Sequence, residues 1–228
     1  MPEGLLLVNK PTGVTSHDVV DVVRRHLGTR RIGHTGTLDP MAQGLLILLI
    51  GSATKRQQAL QGHDKTYEAV LQLGAQTETG DAQGRVIRTA AVPPLDRPHV
   101  EAVLSSLLGP MEQTPPAYSA VKVRGRPAYW WARRHQVVTL PARTVHIRAI
   151  NLLEIGQETI AFRVSCSSGT YIRTLAETIA QRLGTVGHLI RLTRHRIGPW
   201  CLDDATPLAW IRQASVAEMM GKVHPLAP

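Results

Sequence analysis

The chain has 228 residues, 43% hydrophobic and 19% charged, enough for one large domain with a buried core and unlike a disordered chain. Lysine and arginine total 26 against 17 acidic residues, a net charge of +9 with a pI near 10.2, which favours a polyanionic partner because neutralised phosphates release counterions. One Phe, four Tyr and four Trp argue against a surface that stacks successive bases on a row of rings, and two cysteines, Cys166 and Cys201, exclude a disulfide framework or a four-thiolate zinc site.

The N-terminus, MPEGLLLVNKP, carries no basic leader followed by an apolar core and cleavage site; with so few cysteines a reduced, cytoplasmic setting is expected. Leu5 to Val8 reads as a short strand that runs into the loop NKPTGVTS. Thr15 or Ser16 can cap a helix with Val19, Val20, Val23 and Leu27 on one side, closed by Gly28. After a glycine-rich loop, Leu45 to Ile50 is a buried strand, far too short to cross a bilayer; a short helix follows, through Leu60. Tyr67, Ala69, Leu71 and Leu73 alternate as a half-buried strand, and the polar stretch from Gly74 to Arg85 reads as a surface loop.

Pro98, Val100, Val103, Leu104 and Leu107 mark a helix ended by Gly109-Pro110. Val145 to Ile150 and Ile160 to Cys166 are two further strands. Ile172, Leu175, Ala176, Ile179, Ala180 and Leu183 fall at helical spacing and stop at Gly184, and His188 to Arg196 is a basic strand. The expected architecture is α+β: a mixed, mostly antiparallel sheet flanked by helices. One catalytic domain is expected over residues 1–204, with 205–228 a short helix and tail.

The stretch RRIGHTGTLDPMAQG, Arg30 to Gly44, is the most unusual. Pro40 disfavours helix at Asp39 and holds it extended or in a turn, so a carboxylate stands on a stiff loop beside a core strand. The same residues also suit a plain Asx turn. A phosphate-binding reading of the same glycines is weaker, because neither Gly33–Gly44 nor GSATK provides the Gly-Lys-Ser/Thr ending of a P-loop. Ser16-His17-Asp18 is not a hydrolase triad, since helix neighbours cannot face one another in that order, and no convergent His/Cys pattern indicates a metal.

GHTGTLDPMAQGLLILLIGSATK resembles the catalytic motif of the TruB-type tRNA pseudouridine synthases. NKPTGVTSHDVV, DKTYEAVLQLG with TETGDAQG, PPAYSAVKVRGRPAYWWARR, SGTYIRTLAETIAQRLG and GHLIRLTRHRIG resemble further blocks of that family in its order. The resemblance covers residues 4 to 204. It implies the pseudouridine synthase fold, with a cleft across the sheet, and isomerisation of a uridine, U55 in the T-loop of tRNA. No cofactor is implied. The implied partner is tRNA, without a guide RNA, a protein partner or a membrane, and a monomer is expected.

By the same resemblance Asp39 is the catalytic carboxylate, which attacks sugar or base or removes a sugar proton. Arg173 stands beside it, a guanidinium matching a carboxylate better than Lys would. Tyr67 stacks on the target uracil, Leu192 packs on the base's other side, and His34 fills the stack that the flipped uridine leaves. Lys10, Arg30, Arg31, Lys65, Lys122 and Arg124 are expected RNA contacts, with Lys10, on its Pro-Gly loop, alternatively positioning or supporting the active site, and the cluster Arg191, Arg194 and Arg196 is a candidate for backbone contact. Two departures stand out. His135 occupies a position where the family commonly has Gly, and the tail after Trp200 is too short for the C-terminal PUA domain of many members. The competing reading is a non-catalytic RNA-binding or RNA-folding protein.

Overall fold

The computed structural model describes residues 3–225, which divide into two units: the chain up to Tyr67 together with the chain from Leu192, and Glu68–Arg191. In the first, β1 (Gly4–Lys10) is followed by α1 (Ser16–Leu27), β2 (Ile32–His34), β3 (Gln43–Ile50), a 3₁₀ turn over Gly51–Arg56, α2 (Gln57–Gln61) and the start of β4 (Lys65–Leu73). Both β1 and β2 pair antiparallel with β3. Side chains alternate across a strand, so β3 sends Leu46, Leu48 and Ile50 into one core and Leu45, Ile47 and Leu49 into another. β1 divides likewise, Leu6 and Val8 from Leu5 and Leu7. The unbroken apolar run 45–50 is therefore a strand covered on both faces.

Helix α1 starts in a capping box: Thr15 accepts the Asp18 N–H while the Asp18 carboxylate accepts the Thr15 N–H. It ends at Gly28, whose φ of 63° places it in the left-handed region. Between these caps Val19, Val20 and Val23 press into the first core.

The second unit holds the rest of β4, then β5 (Ala75–Thr77), β6 (Val86–Thr89), α3 (Arg97–Ser105), β7 (Gly109–Gln113), β8 (Lys122–Val123), β9 (Arg126–Pro127), α4 (Ala128–Ala132), β10 (Arg143–Ile155), β11 (Thr159–Cys166), α5 (Ile172–Arg182) and the first half of β12 (Gly187–Ile197). Its part of the main sheet runs β12-β4-β11-β10-β7. The other half of β12 belongs to the first unit and is followed there by β13 (Trp200–Cys201), β14 (Thr206–Pro207), α6 (Leu208–Ile211), α7 (Val216–Met220) and β15 (Val223–His224). In that unit the order is β14-β1-β3-β12. The β1–β14 and β3–β12 pairs are parallel, while β1–β3, β1–β15, β2–β3, β7–β10, β10–β11 and β12–β13 are antiparallel. The sheet is mixed and mostly antiparallel, with helices flanking it, as the patterning predicts.

Three local features differ from the sequence reading or explain it. The stretch from Gly74 to Arg85 is more than a surface loop: its first residues form β5, paired with β6, and Thr77, Gly80 and Asp81 are buried. His135 has φ 53°, a left-handed conformation that glycine adopts at no steric cost and a histidine only with strain. The segment 206–224 is built into the sheet: β14 and β15 both pair with β1, and Leu208, Ile211 and Met219 belong to the first core.

Core membership of that segment has a measurable consequence. Met219 is fully buried and Val216 about half exposed. In urea unfolding, Met219→Ala is expected to cost about 2–5 kcal/mol, whereas Val216→Ala stays within about 0.5 kcal/mol of wild type.

Candidate active site

The Asp39-Pro40-Met41-Ala42 segment closes a turn through the Ala42 N–H, which donates to the Asp39 carbonyl at 3.1 Å. Proline suits the second position of such a turn because its φ is preset. Ser16, at the first position of α1, grips the residue before Asp39 twice: its Oγ accepts the Leu38 N–H at 2.8 Å and donates to the Leu38 carbonyl at 3.1 Å. The Gly13 N–H donates to the Pro40 carbonyl at 2.8 Å, and the Thr35 N–H to the Ile47 carbonyl at 3.1 Å. The NKPTGVTS loop and β3 thus hold the half-buried Asp39 from both sides.

Two buried cations complete this arrangement. The Lys10 ammonium donates to the carbonyls of Pro11 at 2.9 Å and Val14 at 2.8 Å, shaping the loop that carries Gly13 and Ser16. Arg194, 1% exposed, donates through Nε to the Leu45 carbonyl at 2.7 Å, through Nη1 to Thr37 at 3.3 Å and through Nη2 to Gly36 at 3.2 Å. Burial, followed by the charge of Arg194, lowers the Lys10 pKa to about 8, while Asp39 and Asp18 act in the opposite direction. His34 ends β2, and its Nδ1 accepts the Gly36 N–H at 3.3 Å. Burial, then Arg194 and His17, lowers its pKa, so the imidazole is held neutral at pH 7.

In the second unit Arg173 lies in the first turn of α5 and is 4% exposed. Its Nη1 donates to the Thr79 carbonyl at 2.6 Å and its Nη2 to the Tyr118 carbonyl at 2.9 Å. Gly80 has φ 74°, and a Cβ there would stand 3.3 Å from the Arg173 Cβ and 3.2 Å from Glu177 Oε1, so the close approach depends on glycine. Asp81 braces this turn, its carboxylate accepting from Thr79 Oγ1 at 2.6 Å and the Gln83 N–H at 3.0 Å. Glu177, one helical turn beyond Arg173, has its pKa raised by burial, against a hydrogen bond from Gln76 and the charge of Arg173.

The structure brings Lys10, His34, Asp39 and Arg194 together in the first unit. Tyr67 and Leu192, both buried, belong to that unit, on β4 and β12. Arg173, Lys122 and Arg124 belong to the second. Lys122 and Arg124 are exposed on the β8–β9 hairpin, whose turn residues Arg124 and Gly125 have φ 49° and 76°, as a type I′ turn requires. Beside them Arg126 and Arg134 lie over the Trp130 ring at 5.5 and 3.7 Å. Arg30 and Arg31 are also exposed.

Lys10 and Lys65 correct the expectation of RNA contacts. Both are buried, and the Lys65 ammonium donates to the carbonyls of Gln61 and His63 at 2.7 and 2.5 Å, so they hold backbone and do not present charge to an RNA. Arg194 is likewise an interior residue and not a contact to the RNA backbone. The signal for it was present in the strand period: it lies two residues beyond Leu192 and so on the same face. Among the described residues, no helix is long and apolar enough to cross a membrane, and no group of three or more His, Cys, Asp or Glu could hold a metal ion.

Residues 24–172 match the family model described as TruB family pseudouridylate synthase (N terminal domain). The chain belongs to the TruB family. It is 44% identical to the tRNA pseudouridine synthase B of Shouchella clausii over 99% of this chain and 76% of that protein, and 44% identical to its namesake from Aromatoleum aromaticum over 98% and 72%. Among solved structures, a Cbf5-Nop10-Gar1 complex contains a chain with TM-score 0.74 and 28% identity, matched over 97% of this chain and 60% of that one. The loop that carries Asp39 lies inside the matched range, and its supports are Ser16, Lys10 and Arg194.

Lys10 gives this TruB site a pH signature. Its folded pKa of about 8 lies below the ordinary 10.5, so between these values the unfolded chain binds the proton that the folded chain releases, and stability rises with pH. The cost of burying the ammonium is fully present below pH 8 and disappears by 10.5. Denaturant unfolding from pH 7.5 to 10.5 is expected to show wild type gaining stability relative to Lys10→Met; parallel curves would refute the assignment.

Proposed function

We propose that this pseudouridine synthase acts on tRNA, converting U55 of the T-loop to pseudouridine with Asp39 as the catalytic carboxylate. The observation that carries the reading is the Asp39 turn, held at Leu38 by Ser16 and at Gly36 and Thr37 by Arg194, a preorganised carboxylate of the kind that catalysis at a fixed reacting atom needs. The 44% identity to proteins named tRNA pseudouridine synthase B, over nearly the whole chain, supports tRNA as the substrate. In the reaction the N1–C1′ bond breaks, a C5–C1′ bond forms, C5 loses a proton and N1 gains one. Atoms and electrons balance within the substrate and water, so no cofactor enters.

In this reading the uridine leaves the loop's stack before reaction, and the neutral His34 imidazole fills its place. Tyr67 stacks on the uracil, Leu192 packs on its other side, and Arg173 supplies the guanidinium for the carboxylate. The exposed cations Arg30, Arg31, Lys122 and Arg124 meet the phosphate backbone, where they add affinity without reading sequence. The enzyme works alone, as a cytoplasmic monomer: the higher identity to the bacterial tRNA enzymes than to the Cbf5 chain favours this over dependence on a guide RNA.

The test is tritium release from a tRNA transcript labelled at uridine C5, with purified protein and nothing else added. Wild type is expected to release tritium and Asp39→Asn none, while both bind the transcript. Binding without release by either protein would favour an RNA-folding role, or a requirement for guide or partner; full activity of Asp39→Asn would refute Asp39 as the catalytic group.

A further inference from the structure

β12 places two different side chains on one face, Leu192 and Arg194, and pairs with β3 at the start of that strand, Thr193 opposite Gln43 and Arg194 opposite Gly44. The approach at this point is close. Gly44 has φ 108°, and a Cβ there would stand 2.4 Å from the Arg194 carbonyl oxygen and 2.8 Å from its nitrogen, so no residue larger than glycine fits without moving a backbone. Held this near, the Arg194 side chain reaches the Leu45 carbonyl at the head of β3, and the carbonyls of Gly36 and Thr37 in the loop. Thr37 is two residues before Asp39. One planar guanidinium thereby ties the strand that follows the catalytic turn to the segment that precedes it, and a guanidinium does this with fixed fork geometry that an ammonium lacks.

We propose that Arg194 is a positioning residue of the reaction: it fixes the loop from Gly36 to Asp39, and so the Asp39 carboxylate, without contacting the RNA. The inference rests on the reading of Asp39 given above. Its burial rules it out as an exposed phosphate contact, and Lys10 cannot replace it, because Lys10 braces a different segment, Pro11 to Val14. The Gly36 and Thr37 carbonyls face a fully buried partner; removal of that partner leaves them to water or to a rearranged loop. Gly36 has the backbone freedom of a glycine, and Arg194 ties the loop there, beside the Ser16 grip on Leu38.

The test compares wild type, Arg194→Gln and Arg194→Lys in the full chain. Single-turnover tritium release and tRNA affinity give the chemical step and binding separately, and amide hydrogen exchange over residues 35–39 reports the loop without reference to activity. Arg194→Gln is expected to slow the chemical step about 100-fold, the scale of a carboxylate displaced by roughly 1 Å, with tRNA affinity unchanged and faster exchange confined to the loop. Arg194→Lys, which keeps the charge and is the variant to rely on if the Gln protein does not fold, is expected to recover part of the rate and part of the protection. Loss of affinity with an unchanged chemical step would make Arg194 an RNA contact and overturn the proposal, as would unchanged rate and exchange in the Lys variant. If wild type releases no tritium, the assigned reaction fails instead, and exchange at residues 35–39 alone decides whether Arg194 holds the loop.

Discussion

Buried cations hold the backbone of the first unit in place, and the site depends on them. A loop next to a core strand carries carbonyls that neither helix nor sheet can satisfy, and a buried unpaired carbonyl is costly. Lys10 answers this for Pro11 and Val14, and Arg194 for Gly36, Thr37 and Leu45. An arginine can serve three carbonyls from one plane, since it carries five donors. The price is a charge in a poor solvent, and that charge must find a counter-charge nearby.

The counter-charges are Asp39 and Asp18. Burial, then the charge of Arg194, lowers the Lys10 pKa while both carboxylates raise it, so one further cation and two carboxylates lie within electrostatic reach of Lys10. The cations that satisfy the loop's carbonyls thus also lie near the carboxylate that the loop carries. His34 is lowered in the same way: its own burial, then the charges of Arg194 and His17, keep its imidazole uncharged.

Much of the fold was legible because its strongest signals are local. The run 45–50 is apolar at every position, and β4 alternates without a break, so their burial follows from the period alone. Asp39 was visible as a carboxylate before proline, although an Asx turn would carry the same two residues; the turn that the structure shows closes on the Asp39 backbone carbonyl and not on its side chain. Lys65 and Arg194 were misread, because a lysine or arginine in a basic chain looks like surface and only its register places it inside: Lys65 shares the inward face of β4 with Tyr67 and Ala69, and Arg194 shares that of β12 with Leu192. For Lys10 the supporting reading, and not the RNA contact, agrees with its burial. The Gly74 to Arg85 stretch was misread as well, since polar residues that bond one another, as Thr79 and Asp81 do, resemble a solvated loop until their partners are known.

A net charge of +9 therefore overstates what the surface offers an RNA. Lys10, Lys65, Arg173 and Arg194 are buried, and Arg24 is committed to Asp21 and the Ile32 carbonyl. What remains outside includes Arg30 and Arg31 after α1, and the hairpin carrying Lys122 and Arg124 with the Arg126–Trp130–Arg134 stack beside it. Both groups are short, and the second is presented by a type I′ turn and by guanidiniums resting on an indole. Few aromatic rings are needed for such a surface, because phosphate contacts set position and a single base pocket sets the chemistry. The total of basic residues suggests a polyanionic partner; the division of those residues between interior and surface, which strand register decides, determines where that partner can be held.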